Sequence, residues 1–229
     1  MTHIQTIQGK VSNGYRLVNS KYPPIDLFDD VADADEFAII YEVQALTNPR
    51  LQNEIGNINL LPASEIPFGI PGCSYACAPF THVNPDGSRF SNGDYGVLYI
   101  ADSQDTALHE VVYHQLTYWK KVDGLHYDRF VFRSLKCAFS FDDFCYLPHS
   151  EDNKSIYLPD DYFHSHIAGK ELRESHRGIK YHSVRNEGAE CFALFTPKTV
   201  SSIIQTGHYE IIFNDGTLTT NKITKVNSI

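Results

Sequence analysis

Positive charge is scarce in this chain: across 229 residues, 19 Lys and Arg stand against 28 Asp and Glu. A protein that grips a phosphate backbone needs spare cations to displace counterions, so this balance argues against nucleic acid as a partner. No apolar run approaches the roughly 20 residues that span a bilayer, which leaves no membrane partner to expect. The opening residues, MTHIQTIQGKVSNG, carry no apolar stretch of the kind a secretory signal needs, and a cytoplasmic location is expected. The five cysteines are odd in number and irregularly spaced, which fits reduced thiols better than a disulfide framework. Cys73-x-x-x-Cys77 has no second pair nearby, so zinc is not expected there. No G-x-G-x-x-G follows a strand, so a dinucleotide would not be held in the Rossmann manner. Repeats and low-complexity linkers are missing too. A chain of this length is most often one domain, able to bury on the order of 70% of its unfolded surface.

What is present reads as helices and strands in irregular alternation. Asp33 to Asn48 is predicted to be a helix: acidic residues crowd its first turn, Phe37, Ile40, Tyr41 and Gln44 share a stripe, and Pro49 stops it. From there to about Asn84, with Pro62, Pro67, Pro71 and Pro79 and little periodicity, a long ordered loop is expected. Gly96 to Ala101 is apolar, β-branched and aromatic enough for a strand. Asp128 to Phe141 alternates as one or two strands, and Asp160 to Glu174 reads as a helix. Strands are expected over Ile179 to Val184, Glu190 to Phe195, Val200 to Thr206 and Tyr209 to Phe213. Asp215-Gly216 is a tight-turn pair before a last strand near Leu218 to Val226. The pattern is α+β: a single compact domain with mixed or antiparallel sheet and flanking helices.

The stretch from Ser88 to His114 carries the chemistry. It places Arg89 on a Gly-rich approach, Tyr99 on a short strand and Glu110 on the helix that follows, on elements whose ends can converge. A guanidinium suits a phosphate, an aromatic ring a planar heterocycle, and a carboxylate a developing positive charge. Those needs coincide in NAD. The plainer alternative is a surface arginine, a core tyrosine and a solvated glutamate. Asp102 or Ser103 can cap the helix, and Leu108, Val111, Val112, Leu116 and Trp119 share one face of it. Glu110 lies nearly opposite, beside Tyr113, His114 and Thr117, so periodicity alone turns it to solvent. His109-Glu110-Val-Val-Tyr-His114 is not a zinc-protease motif, because a spacing of five turns the second ring roughly 140° away. His164-Ser-His166 would suit a metal only on a strand, and its helical surroundings make it a solvated pair. No metal is expected.

Several runs, in order along nearly the whole chain, resemble the RES-domain family, named for its Arg, Glu and Ser, whose members include NAD-consuming toxins. They are Tyr15-Arg16, the R-F-x-x-G-x-x-G-V-x-Y-x-A run from Arg89 followed by T-A-x-x-E ending at Glu110, Gly178-Ile-Lys-Tyr-His-Ser183-Val-Arg185, and Ala193-Leu-Phe-Thr-Pro197. Residues Leu46 to Thr81 depart from the shorter members and look like an insertion. The resemblance implies an ADP-ribosyltransferase-like fold and NAD as substrate rather than cofactor. In the roles it implies, Glu110 stabilises the cation left when nicotinamide departs, and Arg89 and Arg16 grip phosphate from two sides. Tyr99 borders the nicotinamide or its ribose. Ser183 bonds the substrate or positions Glu110, and it is not a nucleophile, since its neighbour His182 faces the other way. Attack by inorganic phosphate as co-substrate, attack by water, and transfer of ADP-ribose to a protein all remain open, as does a non-catalytic interaction domain. A cognate antitoxin is the implied partner, in a toxin–antitoxin complex, and a homo-oligomer stays open.

Overall fold

Two hydrophobic layers, one on each face of a single sheet, organise the molecule. In the computed structural model, which describes residues 5–9, 11–22, 28, 29, 31, 33–48 and 55–224, nine strands run in the order β1-β5-β6-β7-β3-β2-β4-β8-β9. They are β1 (Gln5–Ile7), β2 (Ser12–Asn19), β3 (Leu98–Ala101), β4 (Tyr127–Phe139), β5 (Phe144–Leu147), β6 (Gly178–His182), β7 (Glu190–Leu194), β8 (Val200–Asn214) and β9 (Thr217–Ile223). Every neighbouring pair is antiparallel except β5 and β6, so the sheet is mixed and the α+β reading holds. Successive side chains on a strand point to opposite faces, and the cores follow that alternation. Leu98, Ile100, Leu135, Cys137, Phe192 and Leu194 pack on one face with α1 (Ala34–Thr47) and α2 (Cys73–Thr81). Ala101, Phe132, Cys191, Ala193, Ile179 and Tyr181 pack on the other with α3 (Gln104–Trp119) and α4 (Phe163–Leu172).

Local chemistry explains most element ends. The Asp33 carboxylate accepts from the amides of Asp35 and Glu36 and starts α1, whose predicted stop at Pro49 lies outside the described residues. Ser103, rather than Asp102, caps α3 by accepting from the Thr106 amide. Asp215 and Gly216, with φ of 44° and 85°, form the tight turn between β8 and β9. The predicted last strand ends at Ile223, and its expected continuation over 225 and 226 falls outside the described residues.

Several expectations are corrected. The segment up to Asn84 is not a loop throughout: short 3-10 turns at Ile58–Leu60 and Ala63–Glu65 lead into α2. Cys73, Ala76, Cys77 and Phe80 bury one side of α2 although Pro79 sits inside it, so packing outweighs the proline. The strands expected at 200–206 and 209–213 are one, β8, because the chain crosses from Gln205 to Gly207 through a β-bulge opposite Ser134 and Leu135. The span from Asp128 to Phe141 likewise holds a single strand, β4, which begins at Tyr127 and stops at Phe139. The helix predicted over 160–174 is trimmed to α4 and preceded by a 3-10 segment, Glu151–Tyr157. Strands β1, β2 and β5 match no segment expected from the sequence.

Candidate active site

A split in the sheet opens the site. Strand β2 pairs with β4 over its whole length, from Ser12 opposite Phe139 to Asn19 opposite Phe132. With β3 it shares only the pair Tyr15 and Ala101. The two strands therefore diverge beside Tyr99, whose carbonyl is left without a β2 amide and accepts Arg16 Nη1 at 3.1 Å instead. Into this divergence opens a cleft of about 750 Å³, lined among others by Arg16, Arg89, Tyr99, Glu110, Tyr181 and Cys191. Arg16 has no carboxylate partner among the described residues, and desolvation pulls its pKa below the ordinary arginine value.

The Gly-rich approach is tied down strand by strand. Gly87, at φ +78°, turns the chain so that Ser88 and Ser91 form a small antiparallel bridge. The Phe90 amide donates to Tyr99 Oη at 2.9 Å, and Ser88 Oγ lies 2.9 Å from the same oxygen. Burial pushes the Tyr99 phenol up to about 12, against the opposing effect of those hydrogen bonds. Tyr99 thus borders the cleft, but its hydroxyl is spent on holding the Arg89 loop. His166, expected to be solvated, sits 2.7 Å from the Ser88 carbonyl and anchors the loop to α4. Gly169 lets α4 approach, since a Cβ there would lie 2.1 Å from the Phe90 carbonyl oxygen.

Arg89 is presented from this loop with one nitrogen already committed. Nη1 donates to the Ile156 and Leu158 carbonyls at 3.0 and 3.2 Å, and the guanidinium lies 4.7 Å from the Tyr162 ring centroid. Nε and Nη2 have no partner among the described residues. The fork expected to face a phosphate is therefore half used by the protein.

Glu110 does not face open solvent as periodicity alone predicts. It lines the cleft, and its Oε1 accepts the Ser183 hydroxyl at 2.7 Å. Ser183 Oγ accepts the Arg185 and Asn186 amides at 3.1 and 3.0 Å, so its single proton is directed at the carboxylate. Ser183 stands behind Glu110 and does not line the cleft itself. His182 turns away to Tyr146 Oη at 2.9 Å. Beside them the Tyr181 phenol is held well above its ordinary value, first by burial and then by Cys191 and Glu110, while Arg89 opposes. The Cys191 thiol, 4.0 Å from Glu110 Oε1, is pushed up by burial and by the same carboxylate.

The five residues singled out in the sequence thus gather at one cleft: four line it and Ser183 backs it. Tyr181, Cys191 and Tyr162 join them unannounced. A core tyrosine, a core cysteine and a loop tyrosine offer nothing in the sequence to set them apart from packing residues. Among the described residues no group of three or more His, Cys, Asp or Glu is placed to hold a metal ion, and no helix is long and apolar enough to cross a membrane.

The RES-domain family model matches residues 66–214, well over half of the chain, and the protein belongs to the RES-domain family. The match includes Arg89, Tyr99, Glu110 and Ser183, whereas Arg16 lies before it. The chain is also similar to an uncharacterized protein, y4oC, of Sinorhizobium fredii (strain NBRC 101917 / NGR234). The two are 29% identical over 206 residues, covering 87% of this chain and 82% of that protein. Family membership carries an association with NAD-directed, toxin-type activity at the level of the family.

Proposed function

We propose that this protein is an enzyme that degrades NAD by cleaving the bond between nicotinamide and ribose, and that it acts as a toxin restrained by a partner protein. The observation that carries the reading is the fixed carboxylate: Ser183 Oγ, itself held by two amides, donates to Glu110 Oε1 at 2.7 Å, and the cleft that Glu110 lines is also lined by two guanidiniums, Arg16 and Arg89. Departure of nicotinamide leaves an oxocarbenium-like centre on the ribose carbon, as in glycoside hydrolysis. A preorganised carboxylate stabilises such a cation without reorganising at the moment of reaction. The bond broken is ribose C1′ to the nicotinamide nitrogen, and its electron pair leaves with neutral nicotinamide. The bond formed is from C1′ to an oxygen of phosphate or water.

Arg16 and the uncommitted edge of Arg89 supply donors for the pyrophosphate. Tyr99 and Tyr181 offer ring surface at the cleft wall. NAD is the substrate in this scheme and no further cofactor takes part. The test is direct: purified protein incubated with NAD should release free nicotinamide, and the Glu110→Gln protein should release it about 10²-fold more slowly or worse. Release at equal rates from both would remove Glu110 from the chemistry, and no release from either would remove the activity. Expressed alone in bacteria, the protein should lower cellular NAD before viability falls, and co-expression of the restraining partner should prevent both.

A further inference from the structure

Arg185 belongs to none of the roles assigned above, yet it touches both arms of the cleft. Its amide donates to Ser183 Oγ at 3.1 Å, on the arm that fixes Glu110. Its side chain, only 9% exposed, reaches the other arm. The guanidinium carbon lies 3.2 Å from the centroid of the Tyr113 ring, and Nη2 donates to the Pro159 carbonyl. Nη2 is also 4.0 Å from Asp160 Oδ1, the same oxygen that takes the Tyr113 hydroxyl proton. One side chain therefore stacks on α3 and pins residues 159 and 160 to it.

The pinned segment is the one that orients Arg89. Arg89 Nη1 is held by the carbonyls of Ile156 and Leu158, and its plane is covered by Tyr162. The near end of the segment is fixed independently, because Ser165 Oγ donates to the Ile156 carbonyl at 2.9 Å. Between Leu158 and Tyr162, the contacts from Arg185 and Tyr113 are what join the segment to the helix that carries Glu110. We infer that Arg185 is a positioning residue: its side chain locks residues 158–162 against α3 so that the free edge of Arg89 faces the substrate. The inference rests on the proposed NAD cleavage for its kinetic consequence, though not for its geometry.

The division between main chain and side chain gives the test its sharpness. Replacing the side chain removes the lock on Arg89 and spares the amide that holds Ser183 and Glu110. Arg185→Ala and Arg185→Lys should each raise KM for NAD about tenfold, the scale of coupling within one hydrogen-bonded network, while kcat stays within about threefold. Lysine should not rescue, because an ammonium cannot stack on Tyr113 and donate to the Pro159 carbonyl together. Asp160→Asn, at a side chain 77% exposed and so tolerant of change, should shift KM in the same direction by weakening the Tyr113 contact. In an Arg89→Ala background, Arg185→Lys should add no further rise in KM.

A fall in kcat at unchanged KM, or losses that add in the double variant, would overturn the assignment. If the unaltered protein releases no nicotinamide, the activity is at fault and the lock is judged by limited proteolysis. Chymotrypsin should then cut after Tyr162 about tenfold faster in Arg185→Ala than in the parent, beyond any change in global stability. Parent-like cleavage there refutes the lock.

Discussion

The contacts of Glu110 define what its loss should do. Its Oε1 takes the only proton of a serine whose lone pairs are filled by two amides, so the carboxylate is held by a donor that cannot rotate elsewhere. Glu110→Gln keeps the shape and removes the charge, and should lower nicotinamide release by about 10²-fold or more, the usual scale for a group aimed at transition-state charge. Ser183→Ala leaves the charge but frees it. A drop of about tenfold is expected, together with a lower melting temperature, because two amides lose their acceptor. Turnover near normal in a folded Glu110→Gln protein refutes the role of the carboxylate. Arg89 makes a different demand. Its Nη1 serves two carbonyls while Nε and Nη2 stay available, a division that a single ammonium cannot copy. Arg89→Lys should therefore bind NAD nearly as poorly as Arg89→Ala, by direct titration. Unaltered affinity in both takes Arg89 out of the phosphate site.

At the level of elements, the sequence announces a segment when its local chemistry agrees with its packing. The strand β3 and helix α3 were legible because β-branched and aromatic residues fill the strand, Ser103 caps the helix, and Leu108 to Trp119 repeat at helical spacing. The strand β2 was hidden: Ser12, Asn13, Gly14 and Asn19 are polar or small, and it exists because β4 pairs along all of it. Small buried residues and Pro79 concealed α2 in the same way. Glu110 shows the limit for the site. Periodicity measures only the packed face of a helix, whereas the other residues around the cleft come from the loop between Asn84 and Arg89 and from the segment around Asp160, both distant in sequence. The seat of α4 on that loop gives an element-level prediction. At Gly169 a Cβ would meet backbone, not a flexible side chain, so Gly169→Ala must push α4 off the Phe90 carbonyl. Overpacking of this kind costs about 1–3 kcal/mol and should lower the melting temperature by about 5 °C, with weaker NAD binding because the Arg89 loop shifts. A variant as stable and as tight-binding as the parent contradicts this account of the loop.

On the scale of the whole molecule, an acidic protein concentrates its cations at one opening. Against the surplus of 28 acidic over 19 basic side chains, Arg16 enters the cleft from β2 and Arg89 from the loop before β3. The sheet splits between β2, which carries Arg16, and β3, which the Arg89 loop precedes, so the two guanidiniums reach the cleft from different elements. Neither has a carboxylate partner among the described residues, and Arg16 is desolvated as well. On the proposed reading the two guanidiniums serve two anionic groups, the pyrophosphate of NAD and a free phosphate, which a local concentration of positive charge would favour. A bound phosphate oxygen beside the ribose carbon is a better-placed nucleophile than a mobile water, because its orientation is settled before the reaction. Phosphate at millimolar concentration should therefore speed NAD loss and divert the product to ADP-ribose 1″-phosphate. Arg16→Ala should weaken the phosphate dependence, since among the described residues the Arg16 guanidinium makes a single hydrogen bond, to the Tyr99 carbonyl, against two from Arg89. Mass spectrometry of the products with and without phosphate decides the matter. Plain ADP-ribose under both conditions, at a rate indifferent to phosphate, makes water the nucleophile and leaves Arg16 to the pyrophosphate alone.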